Sequence, residues 1–570
     1  MFDLDMEFSK IMHKYLAVEY KENKRDLIYG KVYKILRSKC LKKNIAMWGV
    51  GDLNNPEETY VSKFLNVFAD SLQNTKCLVD MRRELEGKEL LGLPIVLPDK
   101  MFKYNVDVIL VTSYRSRKYI VKEIKARYPN IPYLDVYEEL EKMGFYVDVD
   151  IFAEDDKYID LYYQKEKYLN ATNINDQEEE FQKLLIMYAD IKDIYYICKC
   201  INECEISDYS FISKMNKLRE ELIQLMEKTR ETIIHRKDVV VWFQDGFRNI
   251  DWYDSEKKEF KVLKNISDKS ICMVNSYSTA PTTYESVYSI ITGNLPFEGK
   301  VYDKKFRFNI EQFAFLREAL EKDYYIKYYT DETFEFLNSN RRLGTYYKKY
   351  LPEIIWEILK QMCIDDKNTT LHFAYAMKEL HVPFLCGWFS QKPIRTFFSK
   401  MGLEGEKDNW QDIKAQFDDC LKYFDEELEK FFSMLGKDTV IVLFSDHAHV
   451  VYDEYESKPF YLYYDNLEKS VKNVFMIYKK TWEHKICDKL VSMIDFNDIA
   501  MEIFSNKKFE LPYRKNIQYQ YYPIQNIAIR QNAKYFNGQN YINGIECCYD
   551  GNEIEVKTPN KKEYIRKDCI

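Results

Sequence analysis

Glycine and proline are scarce in this 570-residue chain, with 17 and 14 occurrences. That argues against long disordered or low-complexity regions, which depend on such residues to stay out of a packed core. There is no basic excess: the formal net charge is −8, so the electrostatic footprint of a nucleic-acid binder is missing. No stretch reaches the about eighteen continuous apolar residues that a membrane-spanning helix needs. The longest runs, such as Val239 to Phe243, suit buried strands. The opening Met1-Phe2-Asp3-Leu4-Asp5-Met6-Glu7 is acidic and unlike a secretory signal. The expected location is the cytoplasm, where the thirteen scattered cysteines stay reduced. Histidine is rarer still, seven in all, which gives each one weight.

What is present is apolar material, 46% of the chain, and a length that points to two or three domains. Residues 1–41 read as a helical segment. Residues 42–148 alternate short apolar runs with helical stretches: Asn44 to Trp48, Lys76 to Asp80, Pro94 to Pro98, Val106 to Ser113 and Ile131 to Asp135. Continuous apolar strands alternating with helices imply a parallel sheet, here a Rossmann-like one. Its Gly49-Val50-Gly51 turn is a partial dinucleotide fingerprint without the third glycine, and Asp80 closes the next strand where a ribose-binding acid would sit. Scaffold or partner-docking surface is an equally good reading of this domain. Residues 149–236, rich in Glu, Lys, Tyr and Leu, read as a helical connector. Within it Cys198, Cys200 and Cys204 have the spacing of no common zinc site and fit a helix bearing small apolar residues. Residues 237–510 resume the alternation as a larger α/β domain, and the turn signals Asn537-Gly538, Asn543-Gly544 and Asp550-Gly551 mark a small β-rich appendage over 511–570.

Three stretches of the larger domain end predicted strands in chemistry-bearing residues, where ligands of open α/β sheets gather. Val239 to Gln244 stops at Asp245-Gly246; an acid there is more often a turn or cap residue. A hydroxyl-rich loop, Tyr277 to Thr283, enters a short helix closed by Gly293. Thr283 at that helix start is either an N-cap or a group beside free amides that favour an anion, an alkoxide or a phosphate. Thr439 to Phe444 runs into Ser445-Asp446-His447-Ala448-His449, a carboxylate and an imidazole side by side, as a divalent-metal pair requires.

Together these stretches resemble the sulfatase-like branch of the alkaline phosphatase superfamily, of the lipoteichoic-acid synthase and phosphoethanolamine transferase types, over about 238–550. The parts come in that family's order: strand then Asp245; a hydroxyl-rich loop with Thr283 ten residues before the glycine of Thr292-Gly293; Phe313 to Leu320 and Tyr324 to Thr330; Leu371 to Phe384 with His381-Val382-Pro383-Phe384; Ser445-Asp446-His447; and Val491 to Asp495. Spacing favours Thr283 over Thr282. Ala448 stands where the family's signature has glycine. Thr283-Tyr284-Glu285-Ser286-Val287 lacks the Cys- or Ser-x-Pro-x-Arg run that true sulfatases mature to formylglycine, which disfavours sulfate esters and favours phosphoryl chemistry.

The resemblance implies one divalent ion, preferably manganese with magnesium, calcium or zinc as alternatives, bound by Asp245, Thr283, Asp446 and His447. It implies Thr283 as nucleophile, with His381 donating a proton to the leaving group or holding substrate, and His449 beside them. His372, inside a strand, reads as structural. The expected partners are a phospho-substituted donor and a glycan or glycan-precursor acceptor; a lipid-linked donor would require a peripheral membrane partner. Hydrolysis with water as acceptor and an inactive binding module are the rival readings.

Overall fold

The computed structural model describes residues 2–16, 24–51, 53, 59–114, 116–143, 151–152, 156–249, 270–299, 307–331, 335–365, 369–381, 383–393, 410–448, 471–505, 514–521, 545–549, 553–558 and 561–566. The chain divides into two compact units: Met1–Glu19, Lys157–Pro393 and Lys407–Ile570 form one, and Tyr20–Asp156 with Ile394–Glu406 the other. The segment expected as one element over 1–41 is therefore split between them. Its first helix, Leu4–Tyr15, is capped by the Asp3 carboxylate and buries Leu4, Phe8, Met12 and Tyr15 along one stripe. That stripe packs on the helices Tyr209–Ile233 and Leu351–Ile364 of the larger unit. Phe8 meets the Trp356 ring at 5.0 Å, and the Trp356 indole donates to Asp5 at 2.7 Å.

The smaller unit holds a six-stranded sheet of β1 (Ile45–Trp48), β2 (Thr75–Val79), β3 (Glu89–Leu90), β4 (Leu93–Val96), β5 (Val108–Val111) and β6 (Tyr133–Asp135). Their order is β3-β4-β2-β1-β5-β6, parallel throughout except for the β3–β4 edge. β1 and β5 are buried at every position, as strands covered on both faces must be.

The larger unit holds an eight-stranded sheet. Its strands are β7 (Val239–Gln244), β8 (Ser270–Met273), β10 (Tyr325–Thr330), β11 (Leu343–Tyr347), β12 (Thr370–Ala376), β13 (Val440–Phe444), β14 (Phe475–Tyr478) and β15 (Lys485–Cys487). The order is β11-β10-β12-β7-β13-β14-β8-β15, with β14 the antiparallel member. β9 (Ser276–Tyr277) pairs with β16 (Val491–Ser492), and β17 (Ile517–Tyr521), β18 (Ile545–Tyr549), β19 (Glu553–Thr558) and β20 (Lys561–Arg566) form an antiparallel sheet at the carboxyl end. The four connector helices, Lys157–Leu169, Ile174–Asp190, Ile194–Asn202 and Tyr209–Ile233, belong to this unit. Cys200 is buried on the third of them, and burial raises all three thiols of the cluster, that of Cys198 up to about 12, so they are packed, protonated side chains. Among the described residues no helix is long and apolar enough to cross a membrane.

The middle of the large sheet sets its core. β12, β7 and β13 lie side by side and parallel, in a register that aligns Tyr375, Phe243 and Phe444. Phe243 stacks on Phe444 at 4.7 Å and meets Tyr375 at 4.6 Å, and Phe496 closes over Phe444 at 4.4 Å. Such a row both buries apolar area and fixes the register, since a one-residue slip would turn every ring to the other face. At the opposite strand ends, His372 is buried against Asp238 at 3.5 Å and Tyr329 at 2.8 Å. Burial lowers its pKa, so it is a neutral structural histidine.

Two stability measurements follow. Replacing Phe8 with alanine should lower the unfolding free energy of the larger unit by about 3 kcal/mol, the usual cost of emptying a buried aromatic site; an unchanged denaturant midpoint would mean that the first helix adds nothing. Glu379 is buried, with the Tyr158 phenol donating to its Oε1 at 2.6 Å and the Leu351 amide at 3.0 Å, while Oε2 has no donor among the described residues. Burial pushes its carboxyl up to about 7, above the unfolded value of about 4.3. The folded chain thus keeps a proton that the unfolded chain has lost, and stability falls as the pH climbs through that interval. The melting midpoint should decline from about pH 5 to about pH 7, less steeply in Glu379→Gln than in the parent; equal slopes would remove Glu379 as the cause.

Candidate active site

The carboxyl ends of β12, β7 and β13 converge, and each delivers one part of the site. β7 ends at Gln244, and Asp245 follows in a turn that Gly246 makes with φ +74°. β13 ends at Phe444, and Ser445-Asp446-His447 follow. The local frame is tight: Ser445 Oγ accepts from the Phe247 amide at 2.9 Å and donates to the His447 carbonyl at 2.6 Å, and the Asn473 side chain donates to the Ser445 carbonyl. Asp245, Asp446 and His447 are buried, at 0%, 0% and 2% exposure.

Thr283 arrives from a different element, the helix Thr283–Thr292. The N-cap of that helix is Thr282, whose hydroxyl donates to Glu285 Oε2 at 2.5 Å instead of capping an amide. Thr283 is the first helical residue, so its side chain has no capping duty. Its Oγ1 lies 3.3 Å from Asp245 Oδ2, to which it donates, and 3.2 Å from His447 Nε2. His447 Nδ1 is 2.9 Å from the Ala448 carbonyl. That oxygen only accepts, so Nδ1 carries the ring proton of the neutral imidazole and Nε2 presents its lone pair to the site. Ala448, in the place of the expected glycine, keeps out of the left-handed region.

Two oxygens are left over. Asp245 Oδ1 and Asp446 Oδ2 are buried without a hydrogen-bond partner among the described residues, and each lies 3.5 Å from His447 Nε2. One ligand atom from each of the three residues falls within 4.8 Å of the others. Burial first, and the neighbouring Asp245 charge second, push the Asp446 carboxyl well above the carboxylate range. Orphaned buried acceptors converging with an imidazole lone pair are what a divalent cation resolves, and the mixed oxygen and nitrogen donors fit manganese or zinc as well as magnesium.

The remaining expected residues are placed as follows. His381 lies in the turn after β12, where the Phe384 amide donates to its carbonyl at 2.8 Å, within electrostatic reach of Asp446. His449 lies outside the described residues. Gly49, Gly51 and Asp80 are in the other unit. Gly49 has φ +109°, and a Cβ there would stand 2.8 Å from that of Ser113. Both Asp80 oxygens are engaged within the fold, by Arg82 at 2.9 Å to each and by the Val50 amide at 3.2 Å. One contact was missed from sequence: the Tyr375 phenol donates to Asp245 Oδ2 at 2.7 Å. Its only sequence signal is its place near the end of a strand beside that of Asp245.

Manganese should raise the thermal midpoint of the metal-free chain, by an amount corresponding to about 2.7 kcal/mol at a hundredfold excess over Kd, and Asp446→Asn should abolish the rise. A rise that survives in Asp446→Asn would put the ion elsewhere.

No curated protein sequence matches the chain significantly. Among solved structures, the phosphonate monoester hydrolase of Agrobacterium radiobacter is 9% identical with a TM-score of 0.43, covering 58% of this chain and 89% of its own. That of Silicibacter pomeroyi is 10% identical with a TM-score of 0.42, over 58% and 89%. A protein of the alkaline phosphatase superfamily from Vibrio parahaemolyticus is 11% identical with a TM-score of 0.37, over 58% and 79%. Superpositions this loose transfer no activity. The family comparison is more specific: residues 237–505, a little under half of the chain, match the model of the Sulfatase family, an enzyme family, and every described residue of the site lies inside that stretch.

Proposed function

We propose that residues 237–505 are the catalytic domain of a metal-dependent enzyme that transfers a phosphoryl substituent to a cell-surface glycan or its cytoplasmic precursor, with Thr283 as nucleophile. The observation that carries this reading is the Thr283 hydroxyl within 3.3 Å of Asp245 Oδ2 and 3.2 Å of His447 Nε2, beside two orphaned carboxylate oxygens. Asp245, Asp446, His447 and the Thr283 oxygen would hold the ion, manganese by preference. When bound, it supplies positive charge that lowers the hydroxyl pKa and polarises the phosphoryl oxygen.

The rest is the work of the chain's own groups. The Thr283 proton passes along its hydrogen bond towards Asp245 Oδ2 as Oγ1 forms a bond to phosphorus. The bond from phosphorus to the donor's ester oxygen breaks, and that oxygen takes a proton from His381. An acceptor hydroxyl then attacks the phosphothreonine, its proton goes to the now neutral His381, and the bond from phosphorus to Thr283 breaks with the proton returned to Oγ1. Threonine cannot be matured to formylglycine, which supports a phosphate over a sulfate ester. The donor is then a phospho-substituted molecule and the acceptor a glycan or its nucleotide- or lipid-linked precursor. The Sulfatase match favours a second reading in the same site, with water as acceptor.

Manganese-dependent release of nitrophenol from phosphate mono- and diesters should fall by roughly 10⁶-fold in Thr283→Ala, as for loss of another catalytic hydroxyl nucleophile, with sulfate esters turned over poorly by the parent. Turnover that persists in Thr283→Ala would overturn the nucleophile assignment. A phosphorylated acceptor sugar in place of free phosphate would separate transfer from hydrolysis.

A further inference from the structure

Asp245 has two unlike oxygens. Oδ2 accepts from the Tyr375 phenol at 2.7 Å and from Thr283 at 3.3 Å. Oδ1 has no donor among the described residues and stands 3.5 Å from His447 Nε2. A carboxylate can turn about its last side-chain bond and exchange its oxygens, so something must hold this one in a single orientation. Thr283 is poorly suited, because its hydroxyl is the group proposed to react and its hydrogen bond is long.

Tyr375 is well suited. Its ring is buried and wedged between Phe243 at 4.6 Å and Phe336 at 5.3 Å, and its place on β12 is pinned by register with β7. A phenol hydroxyl has one proton to give and an ionised carboxylate can only accept, so Tyr375 is the donor to Asp245 Oδ2. On the metal-site reading above, we infer that Tyr375 is a positioning residue for the metal centre: its hydroxyl commits Asp245 Oδ2 and thereby presents Oδ1 as the ligand oxygen. Outer hydrogen bonds of this kind orient ligands, and their loss weakens metal affinity by about 10- to 100-fold. Phenylalanine keeps the packing and removes one atom, so the hydroxyl can be tested apart from the ring.

The experiment is calorimetric titration of the metal-free full chain with manganese, comparing the parent with Tyr375→Phe and with Phe336→Leu, which disturbs the same ring stack without touching Asp245. The expected result is a manganese Kd about 10- to 100-fold weaker in Tyr375→Phe, with Phe336→Leu within about threefold of the parent and a cooperative metal-free unfolding transition kept in Tyr375→Phe, its midpoint lowered by the loss of one buried hydrogen bond. An unchanged Kd in Tyr375→Phe overturns the inference. So does an equal loss in both variants, or loss of the metal-free unfolding transition in Tyr375→Phe, since either makes the effect one of packing. A parent chain that binds neither manganese nor magnesium, calcium or zinc overturns the metal reading itself, and this inference with it.

Discussion

The site is governed by one electrostatic conflict: Asp245 and Asp446 are buried side by side, and each keeps an oxygen that none of the described residues satisfies. Two carboxylates cannot both carry charge in so small a dry volume without a compensating positive charge. The surroundings are arranged around that conflict. The imidazole of His447 is fixed in the tautomer that turns its lone pair inward, the Thr283 hydroxyl is held against it, and the backbone after β13 is braced by Ser445 and Asn473. Rigid bracing is what a metal centre needs, because ligands placed before binding lose little freedom when the ion arrives.

That arrangement is possible because three parallel strands end at the same level. The aligned row of Tyr375, Phe243 and Phe444 sits just beneath the site and makes the register costly to shift. The residues that follow the row inherit its precision: Asp245 beyond Phe243, Asp446 and His447 beyond Phe444. Tyr375 itself links the two layers, packing with its ring and reaching Asp245 with its hydroxyl. Stability and function here draw on the same side chains.

The order of the chain is less simple than the order of the units. The larger unit begins with Leu4–Tyr15, is interrupted by residues 20–156, and resumes at Lys157. A helix at one end of the sequence thus completes a core more than three hundred residues on, at Trp356. Local pattern could not reveal this, because the amphipathic stripe of a helix says that it packs but not on what.

What the sequence determined by itself were the pieces whose physics is local. Apolar runs such as Val239 to Phe243 and Thr439 to Phe444 marked the central strands to within a residue or two, and Asp245, Thr283 and Asp446-His447 stood out as polar groups at strand and helix ends. Which of two neighbouring threonines serves the helix and which faces the site was open to local reading, since both fit an N-cap. Only the folded chain assigns the cap to Thr282 and turns Thr283 to Asp245 and His447. Tyr375 had no signal beyond its place near the end of a strand. Its hydroxyl matters because β12 lies beside β7 across 130 residues of sequence, and such pairing follows from packing of the whole sheet, to which no short stretch of sequence has access.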